Sequence, residues 1–297
     1  MAIFVPATIT KLEIVDPNEI VVVECTLPPE YEVEGKVYSI ADIMRPGTAF
    51  LAEPFGASSG RHQKRLYTRS NCSILTPRVL QTIVNDTHDT SDTSQWWQIS
   101  GIKHGDNKIT IGPVSGEKIF VRCNLNLGKN ELEIHEHYVR KENENLMLEP
   151  DIWWQEKKFL GYALSTGITP FLAHLRYMVH FCFRRYGDPS MHYILIVSAK
   201  NPMQLMYHHE LLALEKKFPQ HFTYHPILTR QWFHDWPYTR GRLIPRDTHD
   251  LSGLLKIVPD LAERHVRMCG NKAACEQLKN GLEQNKITPQ SFKAEVW

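Results

Sequence analysis

The sequence predicts an antiparallel β-sandwich or barrel over residues 1–150, followed by a doubly wound parallel α/β domain over residues 151–297. Three observations support this prediction. The chain has 297 residues, more than a single hydrophobic core usually organises. Short β-branched runs fill the first half, whereas apolar strands alternate with helices in the second half. The acidic, turn-rich stretch 141–151 separates the two halves.

The first half is predicted to consist of short strands joined by turns. Residues 6–14 and 19–27 alternate in polarity or carry β-branched side chains, and the Asp-Pro-Asn between them is a turn signal. Strands are also predicted at 48–52, 65–68, 96–103, 108–113, 118–123 and 131–135. Residues 85–95 are rich in Ser, Thr and Asp, and this composition predicts a solvated loop. Several short strands at this spacing favour an antiparallel sandwich or barrel.

The second half alternates between the two kinds of element. Strands are predicted at 159–164, 193–199, 222–228, 265–270 and 292–297, and helices at 171–186, 202–218, 251–261 and 272–285. The strand 193–199, YILIVSA, is continuously apolar, which is typical of a strand covered on both faces. This alternation predicts a mostly parallel, doubly wound sheet.

Composition and charge exclude several classes of function. The net charge of +1 argues against a general affinity for nucleic acid or membrane surfaces. No apolar run is long enough to cross a bilayer, and the first residues lack the pattern of a secretory signal, so we expect a cytoplasmic protein without a membrane span. The six cysteines have no Cys-x-x-Cys spacing, which argues against zinc knuckles, iron–sulfur clusters and a disulfide framework.

Histidine pairs leave a metal site as a weaker alternative. His135 and His137 would share one face of a strand, and His208 and His209 are adjacent on a predicted helix. Zinc needs a third and a fourth ligand, and adjacent residues do not share a helix face. We therefore expect no metal.

Polar and small residues follow three of the predicted parallel strands. They are Ser165-Thr166-Gly167, Thr229-Arg230 and Cys269-Gly270. Ligands of such sheets bind beyond the carboxyl ends of the strands, and a glycine turn that enters a helix offers N–H groups to a phosphate. A glycine after a strand is more often a plain turn, so these residues alone leave both interpretations open.

Several segments, in the same order, resemble the plant-type ferredoxin–NADP⁺ reductase family. Arg65-Leu66-Tyr67-Thr68 resembles its flavin motif, and STGITPF at 165–171 resembles its glycine-rich loop. Met268-Cys269-Gly270 resembles its Cys-Gly motif, and AEVW at 294–297 its acidic-x-aromatic end. Segments 45–56, 125–128 and 193–230 extend the resemblance over essentially the whole chain. The resemblance implies an FAD-binding β-barrel followed by an NADP-binding α/β domain.

The resemblance also implies an FAD site in the first domain. It places Arg65 on the pyrophosphate, Tyr67 and Trp297 on the two faces of the flavin ring, and Thr68 near flavin N5. Gly116 would belong to a turn that binds the pyrophosphate. Aromatic rings suit a flat, partly apolar flavin, and a guanidinium suits a pyrophosphate. Without the resemblance, these residues would be interpreted as a packed strand, a frayed terminus and a surface arginine.

For the second domain, the resemblance implies an NADP site and a hydride-transfer site. Cys269 would lie beside the nicotinamide and Glu295 near it as a proton-handling acid, which completes a catalytic set with Thr68 and Trp297. The implied NADP-binding residues are Ser165, Thr166, Gly167, Thr229, Arg230, Tyr238, Arg240 and Gly270. Read on their own, Cys269 would be inert packing, Glu295 a solvated edge residue, and the arginines a solvated face.

The implied function is an FAD-dependent oxidoreductase that passes electrons between NADP(H) and a one-electron carrier such as ferredoxin or flavodoxin. A basic rim formed by Arg61, Lys64 and Arg69 is expected to attract an acidic carrier. Glu117 follows Gly116 where the family has a phosphate-binding serine turn, and residues 163–165 (ALS) replace glycines of the NADP loop. These departures motivate an alternative, a non-catalytic or NADP-independent member of the same fold that binds flavin or a partner.

Overall fold

The computed structural model describes residues 2–16, 20–33, 35–39, 49–52, 55–56, 61–62, 65–72, 75–76, 78–85, 102–104, 109–111, 118–124, 157–183 and 190–296. Its contacts group the chain into two compact units. The first holds residues 1–146 and 172–176, and the second holds residues 147–171 and 177–297. The predicted boundary at residue 150 stays a prediction.

The first unit is built on an antiparallel sheet of six strands in the order β8-β5-β12-β1-β2-β9. The buried side chains of β2 and β9, mostly valine, leucine and isoleucine, give the sheet its core face. The strands of this unit are β1 (Ala2–Asp16), β2 (Ile20–Thr26), β3 (Glu30–Val33), β4 (Lys36–Ser39), β5 (Ala49–Ala52), β6 (Phe55–Gly56), β7 (Arg61–His62), β8 (Arg65–Thr68), β9 (Val79–Asn85), β10 (Ile102–His104), β11 (Ile109–Ile111) and β12 (Lys118–Asn124).

The second unit is built on a parallel sheet of six strands in the order β16-β15-β14-β13-β17-β18. Its strands are β13 (Lys158–Leu164), β14 (His192–Ala199), β15 (Phe222–Leu228), β16 (Thr239–Arg240), β17 (His265–Gly270) and β18 (Ser291–Val296). The chain runs outward from β13 through β14 and β15 to the edge strand β16, and then returns to β17 on the other side of β13. This reversal creates a crevice at the carboxyl ends of β13 and β17.

The helices of the second half are α1 (Thr169–Tyr177), α2 (His208–Lys217), α3 (Ser252–Ile257) and α4 (Lys272–Gln284). A 3₁₀ turn, Ser165–Ile168, precedes α1, and a π-helical turn, Met178–Phe183, follows it. Further 3₁₀ turns are Pro202–Gln204 and Leu261–Glu263. One face of the sheet packs on α3 and α4 through a core that includes Leu160, Ile196, Leu254, Val266 and Leu278.

The structure differs from the predicted elements at several points. The predicted helix 202–218 is divided because Tyr207 adopts the left-handed conformation with φ 58°, and Met203 is 52% exposed although its spacing predicted a packed position. The predicted strand 131–135 lies outside the described residues. Six short or edge strands were not predicted, namely β3, β4, β6, β7, β9 and β16. An antiparallel sheet followed by a parallel sheet with helices nevertheless agrees with the predicted fold class.

Within the described residues, no helix combines the length and the apolar character needed to cross a bilayer.

Candidate functional site

The 3₁₀ turn after β13 fits closely against the end of β17. Gly167 is buried, and a Cβ added to it would lie 2.3 Å from the Cys269 carbonyl oxygen and 3.2 Å from the Cys269 sulfur. No side chain fits at that distance, so a glycine is required here by packing. Thr169 closes the turn by donating from its hydroxyl to the Thr166 carbonyl at 2.6 Å. The structure therefore brings together Ser165-Thr166-Gly167 and Cys269-Gly270, which the sequence had predicted to share one site.

Ser165 occupies the position that departs from a glycine-rich loop. Its φ is 49°, in the left-handed region that favours glycine. The serine thus keeps the backbone conformation of a glycine turn while adding a side chain.

A cavity of about 180 Å³ opens at this edge of the sheet. We call it the carboxyl-edge cavity. Its apolar floor contains Tyr162, Leu164, Ile244 and Met268. Its polar wall is formed by Ser165, Ser198, Lys200, Thr229, Arg230, Arg242, Asn271 and Gln277. Hydroxyl, amide and cationic groups over an apolar floor suit a ligand that carries both a phosphate and a flat organic part.

Hydrogen bonds fix the ends of β14 and β15 at the cavity. Thr229 donates to the Ala199 carbonyl from its backbone N–H at 2.9 Å and from its hydroxyl at 3.0 Å. The Arg230 and Gln231 N–H groups both donate to the Lys200 carbonyl at 3.0 Å. The cations of Lys200 and Arg230 therefore leave the sheet from adjoining, fixed backbone positions.

Arg230 and Arg242 are exposed, and neither has a carboxylate within ion-pair distance in the described part of the chain. Burial raises the pKa of Tyr162 to about 12, and the nearby Arg242 charge opposes that rise. Cations without carboxylate partners at the edge of a cavity form a positive site for an anion.

An adjoining cavity of about 570 Å³ runs along the first turns of α4. It shares Arg242, Asn271 and Gln277 with the carboxyl-edge cavity. Gln277 donates to the carbonyls of Pro245 and Thr248 at 2.7 and 2.8 Å, which ties the segment before α3 to α4. The two cavities together offer a continuous path along the carboxyl edge.

Tyr238 and Arg240 are the other residues predicted to bind NADP. They lie in or beside a loop that hydrogen bonds hold in place. Arg240 donates to the carbonyls of His234 and Trp236 at 2.9 and 3.1 Å, and it is not among the residues that line either cavity. The Tyr238 ring packs at 5.0 Å from that of Trp236 and at 6.2 Å from that of His208. Their predicted contacts with NADP stay predictions.

Cys269 and Glu295 are register partners in the neighbouring strands β17 and β18. Cys269 is buried and Glu295 half-buried. The cysteine and the acid that the resemblance assigns to hydride transfer are thus neighbours, and their catalytic roles stay predictions. Trp297 lies outside the described residues.

In the first unit, Arg65, Tyr67 and Thr68 belong to β8, which pairs with β5. Tyr67 and Thr68 are half-buried, and the Thr68 carbonyl accepts from the Thr82 hydroxyl at 2.8 Å. Gly116 lies outside the described residues, so the predicted FAD set is described in part.

The prediction that Arg69 belongs to a basic surface rim is wrong. Arg69 is fully buried, and it donates to Asn71 Oδ1 and to the Thr76 carbonyl, both at 3.0 Å, and to the Val79 carbonyl. Its guanidinium crosslinks the segment after β8 to the start of β9. The guanidinium is enclosed by these acceptors, so it is not available to steer a carrier.

Among the described residues, the histidine pairs do not belong to a cluster of potential metal ligands. His208 Nδ1 is hydrogen-bonded to the Tyr224 hydroxyl at 3.1 Å, and burial followed by the His209 charge lowers the pKa of His208. No group of three potential ligands occurs among the described residues, and His135 and His137 lie outside them.

Sequence reasoning missed Lys200, Arg242, Ser198 and Asn271 as parts of the site. Lys200 follows the apolar strand 193–199 directly, as Thr229 follows β15, and this repeated position after a strand was an available signal. Asn271 caps α4 by accepting from the Ala274 N–H at 3.0 Å, which the Cys-Gly-Asn sequence at a strand end makes recognisable.

Comparisons with known proteins agree with this architecture. Residues 165–279 match the family model described as an oxidoreductase NAD-binding domain. The cytochrome P450 reductase GcoB of Amycolatopsis is 15% identical with a TM-score of 0.65, and the match covers 99% of this chain and 70% of that one. The CS-b5R domains of human Ncb5or in the NAD⁺ form are 14% identical with a TM-score of 0.63 over 99% and 70% of the two chains.

A ferredoxin NADP⁺ reductase from Neisseria gonorrhoeae with bound FAD and NADP is 15% identical with a TM-score of 0.62, over 99% of this chain and 98% of that one. The comparison with curated proteins gives no match. The structural likenesses confirm the predicted fold class, an antiparallel β-barrel followed by a doubly wound α/β domain.

Proposed function

We propose that the protein is an FAD-dependent oxidoreductase of the plant-type ferredoxin–NADP⁺ reductase family, which passes electrons between NADP(H) and a one-electron carrier. The observation that carries the proposal is the carboxyl-edge cavity, where Lys200, Arg230 and Arg242 surround an apolar floor. This cavity lies at the strand-order reversal, where sheets of this type bind nucleotides. It also lies within the segment that matches an oxidoreductase NAD-binding domain.

The donor set favours NADP(H) over NAD(H). A ribose 2′-phosphate is a dianion, and guanidinium groups bind phosphate through parallel N–H donors. Arg230 and Arg242 have no carboxylate partner in the described part of the chain, so a phosphate would gain their full attraction. NAD(H) has a 2′-hydroxyl there, and the same cations would gain little from it.

The close-fitting turn between β13 and β17 would position the nicotinamide half of the coenzyme. Gly167 and Cys269 fix the shape of that turn, and Glu295 lies in register beside Cys269. On the first unit, Tyr67 and Thr68 would meet the flavin ring, with Arg65 and Gly116 at its pyrophosphate. The role of Trp297 on the other face of the ring stays a prediction. When bound, FAD supplies the exchange between single electrons and a hydride.

Ferredoxin or flavodoxin is the proposed electron carrier. The support is the resemblance to ferredoxin–NADP⁺ reductases and the fold shared with the reductase of Neisseria gonorrhoeae. Other proteins of similar fold are a cytochrome P450 reductase and the CS-b5R domains of Ncb5or, so the fold serves several electron partners. Reduction of a ferredoxin and of a flavodoxin by NADPH, measured side by side, tests this choice.

The decisive experiment is an absorbance spectrum of the purified protein under anaerobic conditions, before and after addition of NADPH or NADH. We expect flavin bands that NADPH bleaches faster than NADH does. Flavin bands that neither coenzyme bleaches would refute the reductase and favour the NADP-independent flavin-binding alternative, which the serine at position 165 motivates. A folded protein without flavin bands, even after addition of FAD, would refute the flavin assignment itself.

A further inference from the structure

Exposed apolar side chains are concentrated in the segments that follow β14 and β15. Within the described residues, six large apolar side chains are exposed, and three of them, Met203, Trp232 and Phe233, follow these two strands. Trp232 is 42% exposed and Phe233 is 60% exposed. They belong to residues 231–238, QWFHDWPY, which we call the aromatic loop. Neither ring lines one of the two cavities, so the coenzyme site does not account for their exposure.

The aromatic loop is held in a fixed shape from both ends. The Gln231 N–H donates to the Lys200 carbonyl at 3.0 Å, and the Trp236 N–H donates to the Phe233 carbonyl at 3.1 Å. Trp236 is buried, and its indole N–H donates to the Thr239 carbonyl at 3.2 Å. The five residues before Trp236 are all exposed. The loop therefore presents a continuous exposed tip, residues 231–235, on an anchored base.

Positive charge is concentrated around this tip. The segments 200–204 and 228–242 together carry four cations and a single acid, Asp235, which gives them a net charge of +3. Arg240 is fixed at the base of the tip, because its guanidinium donates to two carbonyls of the loop. Arg230 lies directly before the loop and is exposed. The net charge of +1 for the whole chain therefore hides a local basic cluster beside the exposed rings.

The size of the exposed apolar area favours a membrane surface over a folded protein partner. An aromatic side chain offers about 150–250 Å² to a contact, so the exposed fractions of Trp232 and Phe233 amount to about 200 Å² together. A stable protein interface buries about 800 Å² on each partner. At a bilayer surface, by contrast, a few rings lie among the headgroups while nearby cations pair with anionic lipids.

We propose that the aromatic loop is a peripheral membrane-binding element. Trp232 and Phe233 insert into the headgroup region of an anionic bilayer, and Arg230 and Arg240 bind its lipid phosphates. This inference goes beyond the proposed oxidoreductase and does not depend on it. Asp235 opposes the binding, because the bilayer surface is negative. Attachment through two rings and a few charges is reversible, since stable anchoring needs a second signal.

The test uses the full chain and co-sedimentation with vesicles of phosphatidylcholine and phosphatidylserine. We expect stronger binding to these mixed vesicles than to phosphatidylcholine alone, and release as salt screens the charges. Trp232→Ser is expected to weaken binding to mixed vesicles about tenfold. Val37→Ser is the matched control, because Val37 is 64% exposed in β4, and it should bind within about twofold of the wild type. Asp235→Asn should strengthen binding about fivefold.

Brominated phosphatidylcholine, whose bromine atoms quench nearby indoles, separates insertion from attraction by charge alone. Mixed vesicles that contain it should quench the wild type more strongly than Trp232→Phe, which keeps an aromatic ring. A wild type that does not bind mixed vesicles at low salt would overturn the proposal, and so would equal binding by Trp232→Ser and Val37→Ser. Binding to polyglutamate without quenching by the brominated lipid would overturn it in favour of an acidic protein partner.

Discussion

The two edges of the parallel sheet use arginine in opposite ways. At the amino edge, Arg264 is buried and binds both oxygens of Asp260, at 2.7 and 2.9 Å. It also donates to the carbonyls of Phe159 and His192 at 3.3 and 3.2 Å. At the carboxyl edge, Arg230 and Arg242 are exposed and have no carboxylate partner among the described residues. At the amino edge, the arginine N–H donors bind groups of the protein itself. At the carboxyl edge, the arginine N–H donors stay available for a ligand.

This difference between the two sheet edges indicates which charged residues of the domain serve stability and which serve binding. We call Lys158, His192, Asp260 and Arg264 the amino-edge network. Burial is the largest single influence and raises the pKa of Asp260, but the hydrogen bonds and charges of Arg264 and Lys158 together outweigh it, so the pKa of Asp260 is lowered. Lys158 adds a second ion pair to Asp260 at 3.2 Å. Loss of a charge here should cost stability, whereas loss of a charge at the carboxyl edge should cost affinity.

The largest effect is expected from Arg264→Met, which keeps an apolar stem but removes the guanidinium. Two strand-end carbonyls and a carboxylate lose their donor, so we expect the free energy of unfolding to fall by about 3–5 kcal/mol. Urea denaturation measures this. The folded fraction should bind 2′,5′-ADP with unchanged affinity.

Lys272→Ala is the matched control, since Lys272 forms an exposed pair with Glu276 at 3.7 Å. Its cost should stay below about 1 kcal/mol. Equal losses of unfolding free energy in Arg264→Met and Lys272→Ala would contradict the conclusion that the charges of the amino edge serve stability.

The next largest effect is expected at Gly167, where the carboxyl edge itself depends on packing. In Gly167→Ala, the new Cβ would lie 2.3 Å from the Cys269 carbonyl oxygen, so the turn or the end of β17 must move. Overpacking of this kind costs about 1–3 kcal/mol. We expect a lower urea midpoint than in the wild type. We also expect the affinity for NADP⁺ to fall more than the affinity for 2′,5′-ADP, because the displaced turn would contact the nicotinamide half of the coenzyme, which 2′,5′-ADP lacks.

Ser165→Gly is the contrasting variant in the same turn. Ser165 has φ 49°, a conformation that glycine adopts without strain, so stability should hold or rise. A loss of stability in Ser165→Gly as large as in Gly167→Ala would show that the turn tolerates no change of side chain, and would contradict the separate roles of the two positions.

The third effect concerns affinity alone. Arg242→Ala is expected to weaken NADPH binding about tenfold, or about 1.4 kcal/mol, while NADH binding and the free energy of unfolding hardly change. Arg246→Ala is the control, because Arg246 is exposed and lines only the adjoining cavity. Equal loss of NADPH and NADH affinity in Arg242→Ala would refute recognition of the 2′-phosphate by this residue.

The sequence alone does not show which of Arg240 and Arg242 lines the cavity. The strands of the parallel sheet were predictable because runs such as 193–199 are apolar on both faces. Arg240 and Arg242 are separated by Gly241, whose φ of 83° turns the chain between them. Arg240, before that turn, holds loop carbonyls, and Arg242, after it, lines the cavity.

Other errors have the same origin in tertiary context. Nothing in the sequence around Arg69 distinguishes a surface cation from one enclosed by the carbonyls of Thr76 and Val79, 7 and 10 residues further along the chain. Likewise, the left-handed Tyr207 immediately precedes α2 and separates it from the turn at 202–204, where periodicity predicted one long helix. The alternation of strands and helices and the glycine turns were accessible from sequence, and the direction of individual charged side chains was not.

The smallest effect is the pH dependence of the amino-edge network. His192 Nδ1 lies 3.1 Å from the Arg264 guanidinium, which makes it the acceptor, and Nε2 lies 3.0 Å from the Thr223 hydroxyl. Burial, then the Arg264 charge, lowers the pKa of His192, and these outweigh the opposing charge of Asp260. The folded state therefore resists a proton that the unfolded chain binds near pH 6.5.

The stabilising contribution of His192 is consequently complete above about pH 6.5 and decreases as the pH falls towards the lowered pKa of the folded state. Urea denaturation at a series of pH values between 7.5 and 5 should show falling stability in the wild type and a flatter profile in His192→Gln, whose amide can accept from Arg264 without titrating. His208, His225 and His265 also have lowered pKa values through burial, so a slope will remain in the variant. An identical slope in both proteins would mean that His192 does not contribute to the pH dependence of stability, and would contradict a lowered pKa of His192 in the folded state.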